Sequence, residues 1–290
     1  MKKGIATVFV LIAAALWGSM GLFVRYFETL GLGSMDIVFL RVSVAVVVFT
    51  ATVGFLRPSS FRIKLKDLWC FLGTGLVSIA MFNFCYFRTI TLTSLSAAAL
   101  LLYFAPVIVV LLSAVFFKEK ITLLKGIACL LAFGGCILVS DLKGGSIPTI
   151  GLVTGLLSAF GYAMYSIFSR MAMNRGYHSF TILVYTFLFA IPGVLPFTDL
   201  GGTFGALQAA GWKGWVMMIL LGLVTAVLPY AFYTLGLSGL EAGAASVMAS
   251  IEPVVATVLG ACIFGESFSI LGILLVLAGV VLLNVRFKKV

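Results

Sequence analysis

Charge is what this chain has least of. Nine acidic and 19 basic residues serve 290 positions, whereas a soluble chain of that length carries about 70 charged side chains. The polar links between apolar runs hold at most about a dozen residues, too few to fold alone. This deficit excludes a soluble globular domain, a disordered chain, and a soluble domain on a single anchor. Histidine occurs once, at His178, and aspartate at 36, 67, 141 and 199, near the ends of apolar runs. Paired aspartates, a Ser/His pair and a His-Glu-x-x-His motif are missing, so the reading is not an intramembrane enzyme. Cys70, Cys85, Cys129, Cys136 and Cys262 lie inside apolar runs with no Cys-x-x-Cys pair. They read as small apolar filler rather than metal ligands. Gly31/Gly33 and Gly73/Gly75 lack the rest of a nucleotide-binding spacing. No cofactor and no ATP hydrolysis are expected.

What is present in quantity is apolar: 62% of the residues are hydrophobic and mean hydropathy is +1.24. In lipid the backbone must satisfy itself, which leaves helices or closed barrels. Barrel strands alternate apolar and polar over about 10 residues. The runs here do not alternate, and they approach the roughly 20 residues that a membrane-crossing helix needs. The expected fold is therefore an all-α membrane protein with ten transmembrane helices. They are placed at 4–24, 36–56, 68–88, 94–117, 122–140, 149–171, 179–198, 212–236, 240–265 and 268–286. The first run is too long for a signal peptide and is read as a retained span.

The net charge of +10 does not call for nucleic acid, because positive residues hold loops on the cytoplasmic side. With the N-terminus inside, the cytoplasmic segments carry fourteen cations: Lys2, Lys3, Arg57, Arg62, Lys64, Lys66, Lys118, Lys120, Lys125, Arg170, Arg175, Arg286, Lys288 and Lys289. The opposite side carries four, Arg25, Arg88, Lys143 and Lys213. Both termini are expected in the cytoplasm and the protein in the cell membrane.

The chain repeats itself. Residues 82–119 laid over 229–266, an offset of 147, match at Tyr86/Tyr233, Ala97/Ala244, Ala98/Ala245, Pro106/Pro253, Val107/Val254, Leu112/Leu259, Ala114/Ala261, Phe117/Phe264 and Glu119/Glu266. An offset of 145 pairs Trp17 with Tyr162 and Arg25 with Arg170. Two units follow, 1–145 and 146–290, each of five spans. Five is odd, so the second unit enters the bilayer from the other side. Inverted repeats mark transporters whose site lies near the midplane where the halves meet.

The two copies read "YFAPVIVVLLSAVFFKEKITLLKGIACLLAFGGCILV" and "SIEPVVATVLGACIFGESFSILGILLVLAGVVLLNV". Each has a proline within a span and a glutamate at its end, followed directly by another span. With ten spans in a five-plus-five arrangement, the chain resembles the drug/metabolite transporter superfamily of EamA type along its whole length. The resemblance implies secondary transport of small metabolites, often export of amino acids or related compounds. Alternating access is the expectation that goes with the inverted repeat, and coupling to protons the one that goes with a carboxylate buried in a span, Glu252. A facilitator without ion coupling and a flippase for lipids or lipid carriers remain open alternatives. The partners are a small-molecule substrate and membrane lipid; a monomer suffices, and an oligomer stays open.

Glu252 is the sharpest candidate residue. It stands about 18 Å along its span, and an ionisable side chain at that depth is a functional hypothesis by default. Its repeat mate is Ala105. Arg41 lies within the second span, free to pair with Asp36, to reach a substrate carboxylate, or to snorkel outward. Tyr and Trp favour membrane interfaces, so mid-span copies ask for another reason: Trp17, Tyr86, Tyr103, Tyr162, Tyr165, Tyr230 and Tyr233, with Asn83 beside Tyr86. They either wall a cavity for an organic substrate or pack ordinarily. Pro106 and Pro253, and also Pro192 and Pro229, predict kinks. Glu119 and Glu266 read as turn residues at helix junctions. Gly151, Gly155, Ala159 and Ala163 form a small-residue stripe fit for close helix contact.

Overall fold

A computed structural model describes residues 2–139, 148–266 and 269–284. Asp141 and, of the cations counted above, Lys143, Arg286, Lys288 and Lys289 lie outside them. The described residues are helical, without strands. Eight helical stretches are long and apolar enough to cross a membrane: α1 Lys3–Thr29, α2 Ser34–Leu56, α3 Leu65–Leu92, α4 Leu95–Phe117, α6 Thr149–Asn174, α7 Ser179–Phe197, α8 Gly211–Leu237 and α9 Ala242–Phe264. Two shorter apolar helices also occur among the described residues, α5 Leu123–Val139 and α10 Ile270–Leu283. The link before α8 folds into a further helix, Leu200–Ala209. The Asp199 side chain starts it by accepting the Gly202 N–H at 3.0 Å.

Packing follows the repeat. α1 lies on α8 and α9, and α6 correspondingly on α3 and α4; α2 meets α7, α4 meets α9, and α5 meets α10. Exchanging the first five helices for the last five maps each of these pairings onto another of the set, or onto itself. Glycine makes several of them possible. At Gly135 of α5, a Cβ would stand 2.6 Å from the Gly272 carbonyl of α10. At Gly18 of α1, a Cβ would stand 2.7 Å from the Glu252 carbonyl of α9. The small-residue stripe of α6 also works as a seam: Gly151 faces Thr93, Gly155 faces Leu101, and Ala159 and Ala163 are buried.

The helices around the centre are interrupted, and in matching places. α4 breaks at Tyr103–Phe104 and α9 at Ser250–Ile251, 147 positions apart. Each break precedes a proline, Pro106 or Pro253, which offers no N–H and crowds the carbonyl one turn back. α3 widens to a π-helix over Gly73–Met81 and α8 over Leu223–Val227. α1 bends at Ser19, whose hydroxyl donates to the Leu16 carbonyl at 2.7 Å. Pro229 follows the π segment of α8. Pro192, expected to mark a kink, stands inside a helix that runs on to Val194.

Candidate functional site

The two breaks face each other. A small cavity lies between them, lined by Leu102, Tyr103, Ala105 and Pro106 from α4, Ser246, Ala249, Ser250 and Glu252 from α9, and Tyr162 from α6. Leu102/Ala249, Tyr103/Ser250 and Ala105/Glu252 are repeat mates, so the cavity sits where the halves are related. Its free volume is about 10 Å³, room for roughly one water.

Glu252 is the first residue of the second segment of α9, Glu252–Phe264. The break thus places its carboxylate at a helix N-terminus, where backbone N–H groups favour negative charge. The Tyr162 hydroxyl donates to Glu252 Oε2 at 3.1 Å. Tyr86 and Tyr103 lie within electrostatic range of the same carboxylate.

Arg41 does not snorkel. It is 5% exposed and turns inward, donating through Nη2 to the Thr225 carbonyl at 3.2 Å, within the π segment of α8. Nη1 lies 2.9 Å from the Met20 sulfur. Asp36 is not its partner. Asp36 accepts instead from the backbone N–H groups of Gly33 and Asp199, both at 2.9 Å. Among the described residues no carboxylate comes within ion-pair distance of Arg41. Tyr230 and Glu252 are within its electrostatic range. A buried cation without an ion-pair partner is costly, and one carbonyl acceptor leaves most of its donors available to an anion.

The aromatic set divides. Tyr103 and Tyr162 line the cavity. Trp17, Tyr230, Tyr233 and Tyr165 pack on one another beside it. Trp17 meets Tyr230 at 5.1 Å, Tyr233 at 5.4 Å and its repeat mate Tyr162 at 6.3 Å between ring centroids. Tyr165 meets Tyr230 edge-on at 5.0 Å. Two hydroxyls are satisfied across the α6–α8 contact, Tyr165 with Thr234 at 2.6 Å and Tyr233 with Ser166 at 2.7 Å. Asn83 serves its own helix by donating to the Ile79 carbonyl at 2.7 Å. Ser166 and Thr234 through their hydroxyls, and Thr225 through its backbone carbonyl, carry site contacts that sequence reasoning missed. Small hydroxyl residues on apolar helices are too common to signal a partner on another helix.

Comparison with known proteins agrees with this architecture. The model of the EamA-like transporter family matches twice, over residues 4–141 and 149–285. The uncharacterized transporter YxxF of Bacillus subtilis (strain 168) is 27% identical, covering 98% of this chain and 91% of its own. An uncharacterized transporter of Archaeoglobus fulgidus is 29% identical over 97% of this chain and 96% of its own. The uncharacterized inner membrane transporter YicL of Salmonella typhimurium is 25% identical over 99% and 97%. A protein crystal structure superposes with a TM-score of 0.80 at 17% identity, covering 98% of each chain, which shows a shared fold.

Proposed function

The chain belongs to the EamA-like transporter family and is a multi-pass membrane protein, and from that premise we propose that it carries a small organic acid or amino acid by alternating access, coupled to protons. The observation that carries this reading is the placement of Glu252. Its carboxylate faces a cavity between two broken helices, held by the Tyr162 hydroxyl, with Arg41 in electrostatic range. A carboxylate there is suited to take up and release a proton. Arg41 is suited to a substrate carboxylate, and the tyrosine and tryptophan rings to the organic body.

The cavity holds too little space for such a substrate as it stands, so α4 and α9 must part to admit one. Breaks next to Pro106 and Pro253 are places where that motion can be taken up. Two repeat-related halves, oppositely inserted, would open to either face at similar cost. In this proposal ten helices cross the bilayer with both termini in the cytoplasm, as the fourteen-to-four distribution of cations favours. Transport is outward, the direction suggested by the family resemblance.

The test is transport in proteoliposomes with a library of amino acids and organic acids, with and without an imposed pH gradient. Accumulation driven by the gradient supports the reading. Movement down the substrate's own gradient, indifferent to pH, overturns the coupling. Movement of lipid alone overturns the substrate class.

A further inference from the structure

A second concave site lies away from the central cavity, where the segment between α2 and α3 meets the turn between α6 and α7. It is a cleft of about 490 Å³, the size of many small-molecule sites. Arg57, Arg62, Lys64, Arg175, Tyr177 and His178 are among its lining residues.

The frame of the cleft is fixed. Gly176 turns the chain with φ of +88°. The Tyr177 hydroxyl donates to Asp67 Oδ2 at 2.8 Å and accepts the Lys64 N–H at 3.0 Å. Its ring stands edge-on to Phe71 at 5.1 Å. Arg175 is taken up twice, paired with Asp67 at 3.1 Å and stacked over Trp69 at 4.8 Å. Asp67 is thereby spent on Arg175 and Tyr177.

Arg57, Arg62 and Lys64 are left over. All three are exposed, and among the described residues none has a carboxylate within ion-pair distance. Burial, with Arg57 nearby, holds the His178 imidazole below its ordinary value, and its Nδ1 accepts the Phe180 N–H at 3.3 Å. Three uncompensated cations converging on one concavity repel each other, and an anion there would relieve the repulsion. Planar guanidinium groups match phosphate oxygens two at a time.

The same segment carries large bare apolar side chains at both ends. Phe55 and Leu56 are 88% and 74% exposed and Leu65 is 86% exposed. Bare apolar side chains alternating with cations at a helix end belong to the boundary between acyl chains and headgroups. A soluble anion would have no use for them.

We propose that this cleft binds the phosphate of an anionic lipid headgroup, with Phe55, Leu56 and Leu65 set among the acyl chains. The occupant is a structural or regulatory lipid, distinct from the substrate of the central cavity.

The experiment uses the purified full-length protein in a neutral detergent and follows its thermal unfolding. Three titrations are compared: phosphatidylglycerol, phosphatidylcholine of the same chain length, and inorganic phosphate. Phosphatidylglycerol should raise Tm well beyond phosphatidylcholine, with phosphate ion giving little. In Arg57→Gln/Arg62→Gln/Lys64→Gln the apparent affinity for phosphatidylglycerol should fall at least tenfold. Lys2→Gln/Lys120→Gln, which removes cations elsewhere, should leave it within twofold. Arg62→Gln alone provides the same reading in a milder form if the triple variant unfolds. Equal shifts with both lipids, or an unchanged affinity in the cleft variants, overturn the proposal. A shift with inorganic phosphate that phosphatidylglycerol does not exceed overturns the lipid assignment in favour of a soluble anion.

Discussion

Glu119 and Glu266 occupy the same place in two matching backbones and hold different partners. Each follows a left-handed residue, Lys118 at φ +56° and Gly265 at φ +69°. Each donates its own N–H six residues back at 3.3 Å, to Ser113 and Gly260, which are themselves 147 positions apart. Glu119 then reaches across to the start of α9, accepting from the N–H groups of Ala242 at 2.8 Å and Gly243 at 3.3 Å. Lys125 stands 3.8 Å from it. Glu266 pairs instead with Arg25 of α1, which lies over the Phe264 ring at 3.9 Å. The positions on α4 that correspond to Ala242 and Gly243 are Leu95 and Ser96, and there the Ser94 hydroxyl provides the cap by accepting from Ala97.

Removing the two carboxylates should therefore have unequal effects. Glu119→Ala takes the cap from an eight-residue helix segment, Ala242–Ala249, a loss of about 1 kcal/mol. Glu266→Ala removes an ion pair whose side chains are each 47% exposed, which contributes roughly 0–1 kcal/mol. Thermal unfolding in detergent should show a clear drop in Tm for the first and little for the second. Equal drops would mean that the contact to α9 is not what stabilises that junction.

Much of the architecture is legible in the sequence because lipid imposes length. Runs such as 36–56 and 149–171 declare themselves as helices, and the structure places Ser34–Leu56 and Thr149–Asn174 there. The breaks in α4 and α9 were signalled by Pro106 and Pro253. The π segments were not: Gly73–Met81 and Leu223–Val227 have the same apolar character as the helices around them, and a wider turn leaves no mark on composition. Glu252 was legible as a lone carboxylate at mid-span depth. The partner of Arg41 was not, because a nearby Asp36 looks available in sequence, yet it is taken up by Gly33 and Asp199. The packing of Trp17 against three tyrosines depends on which helix faces meet, and one sequence does not specify that.

Trp17 is the hub of the ring cluster and is 8% exposed. Trp17→Ala should destabilise the protein by about 3–5 kcal/mol through the cavity it leaves. Trp17→Phe keeps an aromatic edge for Tyr230 and Tyr233, and should fold with a small loss of Tm. If the cluster also supports binding, Trp17→Phe raises the KM for transport several-fold with the maximal rate little changed. A maximal rate that falls with KM unchanged would place Trp17 in the conformational step instead.

Gly18 and Gly21 separate close approach from mere flexibility. A Cβ on Gly18 would meet the Glu252 carbonyl at 2.7 Å and the Val255 Cβ at 2.8 Å, whereas one on Gly21 meets nothing within 4 Å. Gly18→Ala should cost about 1–3 kcal/mol by overpacking α1 against α9, and should lower transport by shifting the Glu252 backbone. Gly21→Ala should leave both unfolding and transport near the parent values. Similar losses in the two variants would show that the α1–α9 contact is not what governs this stretch, since alanine is itself the better helix former.

The position of the carboxylate can be exchanged between repeats. Ala105 and Glu252 are repeat mates that line one cavity, and each is the first residue of the helix segment after a break. A carboxylate at either place meets a helix N-terminus. Glu252→Gln keeps the shape and an acceptor for the Tyr162 hydroxyl, so it should fold normally while transport loses its response to a pH gradient. Glu252→Ala should lose that response too. Adding Ala105→Glu to Glu252→Ala conserves the volume around the cavity and returns a carboxylate to it from the other side. If the proton is carried by a carboxylate in this cavity, the double variant recovers part of the pH response in proteoliposomes, while Ala105→Glu alone is impaired by crowding. A folded double variant that remains flat across pH would tie the coupling to the Tyr162–Glu252 hydrogen bond itself, because that geometry is what the exchange does not restore.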